Sequence, residues 1–331
     1  MGKESLIENA SGTIDYGMTN DYMFRATLQK SKKALIGLTS ALLHKQPEEI
    51  QDIEITNPII LGETIDSRTY ILDVNIVLNN SMMLNLEMQV NNLDDWEERS
   101  LCYLCGDFSQ LNKGEPYKGI KPVINIGILD YTLFKDDQQF YGKYYMMNEK
   151  THKLYSDKLG IGVLDLTQID KASEEDKAYG IDTWARIFKA KTWEEMRMAV
   201  ENNEYMEEAV ETMYALNADN TIRQQCEARK RAEIEEKYQH DEMKRLKKEN
   251  SKLASDNEKL SGDNQRLAGD NKKLVGDNEK LAGDNQRLTG DNEKLMQDND
   301  RLKEESENWK EESASWKEKY EKLLAAQNNA D

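Results

Sequence analysis

Two neighbouring stretches decide the reading: Tyr70-Ile71-Leu72-Asp73-Val74-Asn75-Ile76-Val77-Leu78 and, three residues later, Met82-Met83-Leu84-Asn85-Leu86-Glu87-Met88-Gln89-Val90-Asn91. Both alternate with a period of two, as a strand does when one face meets a core. Leu72, Val74, Ile76 and Leu78 share one face of the first stretch, with Asp73 and Asn75 on the other. Leu84, Leu86, Met88 and Val90 oppose Asn85, Glu87, Gln89 and Asn91 in the second. The linker Asn79-Asn80-Ser81 is short enough for a hairpin. With those three residues as the loop, Leu78 faces Met82, paired numbers sum to 160, and Asp73 falls opposite Glu87. A slip of one residue would turn a polar face into the core, so the parity is firmly set.

Directly opposed side chains on one sheet face have Cβ atoms about 4.5–5.5 Å apart, and like charges there repel. Two carboxylates so placed need a shared proton or a bound cation. Oxygen donors without His or Cys point to a hard ion such as Mg²⁺, with Mn²⁺ or Ca²⁺ as substitutes. The alternative is a solvated strand face on which the two acids splay apart.

Outward from this hairpin, a helix is expected over residues 20–43, capped by Thr19 or Asn20. β-rich runs follow at 53–61, 69–78 and 82–90, then a helix at 94–111 capped by Asp94 and Asp95. The nearly continuous apolar run 123–131 reads as a buried central strand, with a further strand at 160–166. The order α-β-β-β-α-β-β indicates an α/β domain with a mixed sheet. Residues 173–245 are helical in composition, with amphipathic stretches at 184–188 and 206–216.

The C-terminal part is an internal repeat. Leucine recurs every seven residues from Leu246 to Leu302, and the register continues through Trp309, Trp316 and Leu323. Asparagine stands three residues before most of these, from Asn250 to Asn299. In heptad terms Leu is at d and Asn at a, the period of a left-handed coiled coil in which Asn favours two strands at some cost in stability. Aspartate at g (Asp263, Asp270, Asp277, Asp284, Asp291) would face itself in an antiparallel pair, so a parallel homodimer is expected. Glycine at f (Gly262, Gly269, Gly276, Gly283, Gly290) costs each helix about 1 kcal/mol per site against Ala. The middle of the stalk is therefore expected to be weaker than its 309–323 end; the alternative is a frayed, largely disordered repeat.

Composition agrees with a cored domain joined to a polar segment: of 331 residues 38% are hydrophobic and 33% charged. The net charge of −18 is spread along the chain, which argues against a nonspecific nucleic-acid coat but not against a nuclease, whose metal site needs carboxylates. No apolar run is long enough to span a membrane. The N-terminal stretch lacks the apolar segment of a secretory signal, and Leu6 stands where a myristoylation signal has Ser or Thr. Three cysteines, an odd number, fit a reducing compartment, and a cytoplasmic location is expected. Cys102-Tyr103-Leu104-Cys105 is a lone pair of thiols, expected to pack on its helix, and Gly160-Ile161-Gly162 lacks the rest of a dinucleotide fingerprint.

Asp73 followed by Glu87-Met88-Gln89 on adjacent strands, then a helix, resembles the PD-(D/E)xK nuclease superfamily. More narrowly it resembles the transposase-like branch that includes the recombination-promoting nucleases. Asn20-Asp21-Tyr22-Met23-Phe24-Arg25, Arg99 with Tyr103, and residues 114–126 carry the likeness over about residues 15–230. Two features depart from the motif: Leu72, not proline, precedes Asp73, and Gln89 replaces the lysine. Glutamine is the usual variant of this branch, but it leaves no ammonium at that position.

The resemblance implies that Asp73 and Glu87 ligate Mg²⁺ with the Met88 carbonyl, that Gln89 orients the attacking water, and that Asp21 is an accessory acid. Arg99 and Tyr103, one helical turn apart, are candidate DNA contacts; a helix-surface pair is the alternative. Lys113, Lys118 and Lys121 cluster in a loop that could touch DNA, Lys121 foremost, or simply be solvated. The expectation is a DNA endonuclease linked to recombination or mobile elements. Its parts are a nuclease-like core at 1–170, a helical extension at 171–245, a coiled coil at 246–325 and a tail at 326–331. The alternative is a decayed nuclease fold serving as a coiled-coil interaction platform.

Overall fold

The computed structural model describes residues 7–57, 59, 74–109, 116–200 and 203–328. Contacts divide the chain into two compact units, Met1–Lys244 and Arg245–Asp331. The first is built on a six-stranded mixed sheet. Its strands are β1 (Ile53–Ile55), β2 (Val74–Leu78), β3 (Met82–Gln89), β4 (Val123–Leu129), β5 (Tyr141–Met147) and β6 (Leu154–Asp165), in spatial order β1-β2-β3-β4-β6-β5. β3, β4 and β6 run parallel at the centre, while β1, β2 and β5 pair antiparallel toward the edges.

The β2–β3 register is the expected one: Val74 pairs Leu86, Asn75 pairs Asn85 and Leu78 pairs Met82. Asn79 and Asn80 make the tight reversal, both at φ +48°, a left-handed conformation that Asn tolerates better than most residues. Val74, Ile76, Leu78, Leu84, Leu86, Met88, Ile126 and Ile128 all belong to the principal core. Position 73 lies outside the described residues, so the expected Asp73–Glu87 juxtaposition is not described.

Helices α1 (Asp21–Lys30) and α2 (Lys32–Leu43) replace the single helix expected over 20–43. Asn20 caps the first, accepting from Met23 N. Ser31, extended at φ −117°, ψ 104°, ends α1 and caps α2 by accepting from Ala34 N. A serine hydroxyl satisfies a helix N-terminus better than it serves mid-helix, and here that preference divides the run.

Helix α3 (Trp96–Phe108) covers the opposite face of the sheet, where Trp96 packs with Leu129 and Val163. Asp95 holds its cap position without a side-chain cap bond. Asp94, expected as a cap, instead pairs with Lys244 at 2.7 Å. α3 buries Trp96, Ser100 and Leu104, which leaves Cys102 and Cys105 exposed rather than packed. Strand β6 starts six residues before its expected limit, and β5 was not anticipated. Its Lys143, Tyr144, Tyr145, Met146 and Met147 are all exposed, so no alternation announced it.

Four further helices follow: α4 (Glu174–Ala178), α5 (Ile181–Lys189), α6 (Trp193–Ala199) and α7 (Glu204–Asn217). α7 packs on α1 and α2, approaching so closely that a Cβ on Gly37 would sit 2.4 Å from Tyr205 Cβ. The last helix, α8 (Asn220–Asn328), begins in the first unit, where Ile222 and Cys226 join the core. Residues 245–328, in the second unit, are helical throughout. The heptad leucines there are exposed, from Leu246 at 42% to Leu295 at 61%.

Candidate active site

The polar face of β3 is not a solvated surface. Asn85 and Glu87 are buried beneath α3, and cross-strand pairing places Asn75, Asn85 and Asn125 in one row across β2, β3 and β4. The Asn125 amide donates to Ser100 O at 3.2 Å. The Oδ1 atoms of all three asparagines are buried with no hydrogen-bond partner among the described residues. Glu87 lies one step further along β3, opposite Gly127. A Cβ at Gly127 would come within 2.2 Å of the Trp96 ring, so this glycine is what lets α3 lie close to the strand.

That close approach delivers Arg99. Its Nη2 donates both to Glu87 Oε1 and to Gln89 Oε1, the latter at 2.6 Å. Its guanidinium lies 5.8 Å from the centre of the Trp96 ring, within reach of a cation–π attraction. Gln89 is oriented from its other end, where Nε2 donates to Asn91 O at 3.0 Å. Glu87, Gln89 and Arg99 thus form one connected group. Arg99 therefore turns toward the sheet rather than lying along the helix surface.

Tyr131, two residues past the end of β4, packs on the Trp96 cluster beside this group. Burial pushes its phenol above the ordinary value; the Arg99 charge opposes this and the Glu87 charge adds to it. Tyr103 is half-buried on α3, one turn beyond Arg99. Lys121 is placed elsewhere. Its Nζ donates to Asn80 Oδ1 at 2.9 Å, at the hairpin end of β3. Six residues of strand, about 20 Å, separate it from Gly127, the partner of Glu87. Lys118, also exposed, accepts at its backbone oxygen from Lys158, while Lys113 lies outside the described residues. The Met88 side chain is buried in the core, which leaves only its backbone for any ligand role.

Asp21, at the first turn of α1, is buried and held by Arg229 of α8, with Oδ2 2.5 Å from Nε. Its Oδ1 has no hydrogen-bond partner among the described residues. Desolvation pushes the Asp21 carboxyl up, while Arg229 pulls it down. Arg229 also faces Glu233 at 3.8 Å and Glu236 at 3.3 Å. Burial, reinforced by the Asp21 charge, pushes the Glu233 carboxyl up to about 7.

The backbone oxygen of Glu233 accepts from Asn91 Nδ2 at 3.1 Å. A chain of contacts therefore runs from Gln89 through Asn91 and Glu233 to Arg229 and Asp21. Sequence reading found neither Arg229 nor Glu233, because a helical, charge-rich segment does not reveal which of its charges turn inward.

The donor set suits a hard divalent cation: carboxylate and amide oxygens, with no sulfur or imidazole ligand beside them among the described residues. Glu87 already accepts a positive group on one oxygen, so the site tolerates cationic charge. Among the described residues no cluster of three His, Cys, Asp or Glu side chains could itself hold a metal ion.

Among the described residues no helix is long and apolar enough to cross a membrane. Comparison with family models gives two matches. The model for the C-terminal region of FAZ1 matches residues 244–274, 262–295 and 277–313, three overlapping segments of the repeat. No curated protein and no solved structure is significantly similar to the chain. The model for the PD-(D/E)XK nuclease family transposase matches residues 18–249, which span every strand of the sheet, the Glu87–Gln89–Arg99 group and the root of α8. The chain belongs to the PD-(D/E)XK nuclease family of transposases.

Proposed function

We propose that the chain is a Mg²⁺-dependent DNA endonuclease serving recombination or mobile-element movement in the cytoplasm, and that it works as a parallel homodimer joined through residues 246–325. The observation that carries the reading is the placement of Glu87 and Gln89 side by side under α3, with Arg99 bonded to both. A solvated strand face would need no such cover.

In this reading Asp73 and Glu87 hold the cation, following the register sum of 160 that the described β2–β3 pairs obey, and the Met88 carbonyl completes the set. A bound Mg²⁺ would acidify the attacking water and neutralise charge on the phosphoryl oxygens. Gln89 orients that water in line with the leaving oxygen, and the fixed amide contributes by positioning. Arg99 and Tyr103 face the DNA backbone near the site, while Lys121 meets it about 20 Å away, at the hairpin end of β3. Asp21 stands by as an accessory acid, restrained by Arg229. The 1–170, 171–245 and 246–325 segments would act as core, cover and dimerising stalk.

The test is nicking of supercoiled plasmid in Mg²⁺, with Mn²⁺ in parallel. Wild type is expected to cut, and Asp73→Ala and Glu87→Ala to lose at least about 100-fold in rate, the scale of losing a key charge-stabilising group. Equal activity in wild type and both variants would refute the assignment. A second reading, a decayed nuclease fold acting as an oligomeric platform, is favoured by the absent motif lysine. It predicts no cutting by the wild type with any divalent ion.

A further inference from the structure

Position 89 carries a neutral amide where the motif has an ammonium, yet positive charge is present in the site. The Gln89 amide is held from both ends: Nε2 donates to Asn91 O, and Oε1 accepts from Arg99 Nη2 at 2.6 Å. The same nitrogen donates to Glu87 Oε1. The Glu87 side chain is 8% exposed and that of Arg99 24%, so Arg99 is the more accessible member of the pair. A guanidinium keeps its charge at any working pH, and its planar fork matches the oxygens of a phosphate.

We propose that Arg99 is the phosphate-facing cation of this site, mounted on Gln89 in place of a motif lysine and shared with Glu87 until that carboxylate is given to a divalent ion. The proposal rests on the metal-dependent nuclease reading above. It has two consequences of opposite sign. The guanidinium and a divalent ion compete for the same Glu87 oxygen, so removing Arg99 tightens metal binding. The same removal takes positive charge away from the phosphate as negative charge builds on it, so turnover falls. A residue that merely braced the fold would weaken both together.

The experiment uses the full chain and two readouts. Mn²⁺ affinity is measured without DNA, by calorimetry or by the spin resonance of the free ion. Cleavage is measured separately, with kcat resolved from KM. Arg99→Ala is expected to bind Mn²⁺ about tenfold more tightly while kcat drops about 100-fold. Adding Gln89→Lys to Arg99→Ala is expected to restore part of kcat, because an ammonium returns to the site. Should Arg99→Ala fail to fold by thermal melting, Arg99→Gln, which keeps a donor but no charge, carries the same comparison.

Mn²⁺ affinity that is unchanged or weaker in a folded Arg99 variant overturns the proposal and leaves the metal site standing. Failure of the Gln89→Lys double variant to regain any kcat overturns it as well. Wild type that binds no Mn²⁺ fails at the earlier step, and the nuclease reading falls with the proposal.

Discussion

Glu233 shows how one buried carboxyl sets a pH dependence. Asp21, Arg229, Glu236 and Lys230 surround it, and burial is the leading cause of its rise to about 7. Between the ordinary value of 4.5 and 7, the folded chain keeps a proton that the unfolded chain has released. Stability contributed here is complete below pH 4.5 and is lost as pH rises through 7. Glu233→Gln cannot ionise and keeps its backbone bond from Asn91. It should match wild type near pH 5 and exceed it at pH 8 by at most about 3 kcal/mol, read from denaturant midpoints. Equal stability differences at the two pH values would disprove the assignment. At this scale the sequence announced Glu87 and Gln89 through their alternation, but not the bond from Arg99, because spacing along a helix does not say which way a long side chain turns.

Among the elements, α3 determines whether the site is assembled. It rests on Gly127, where even a methyl group would press into the buried Trp96 ring. Gly127→Ala should cost about 1–3 kcal/mol, the usual range for overpacking, and should lower cleavage further by lifting Arg99 from Glu87. Thermal melts and nicking rates check both; an unchanged melt with unchanged cleavage would show that α3 does not depend on this contact. The β2–β3 hairpin was legible because two apolar faces and a three-residue loop leave one register. The break between α1 and α2 was not, since Ser31 acts only through a cap bond that composition does not reveal. β5 was hidden because an exposed edge strand has no buried face to write a pattern.

For the whole molecule, the family match and the repeat divide the chain's work. The root of α8 braces Asp21 and Asn91, and the heptads that follow present leucine and tryptophan along a helix with nothing within 4 Å of Gly262, Gly269, Gly276, Gly283 or Gly290. Each of these glycines therefore has room for a methyl group. Replacing all five with alanine should raise helix stability by about 1 kcal/mol per site, seen as a higher melting temperature in the far-ultraviolet dichroism. Removing residues 246–331 should leave a folded monomer by light scattering; an oligomer of unchanged order would place the interface elsewhere.

The asparagine row across β2, β3 and β4 has its own bearing on how the molecule reaches this state. Three amides aligned across the sheet act as a checksum for strand assembly. A strand that slips by one residue turns its amide in among methionines and isoleucines and, for Asn125, breaks the bond to Ser100 O, a loss of about 0.5–1.5 kcal/mol. A one-residue slip is thereby penalised by the same polar row that crosses the interior of the native sheet.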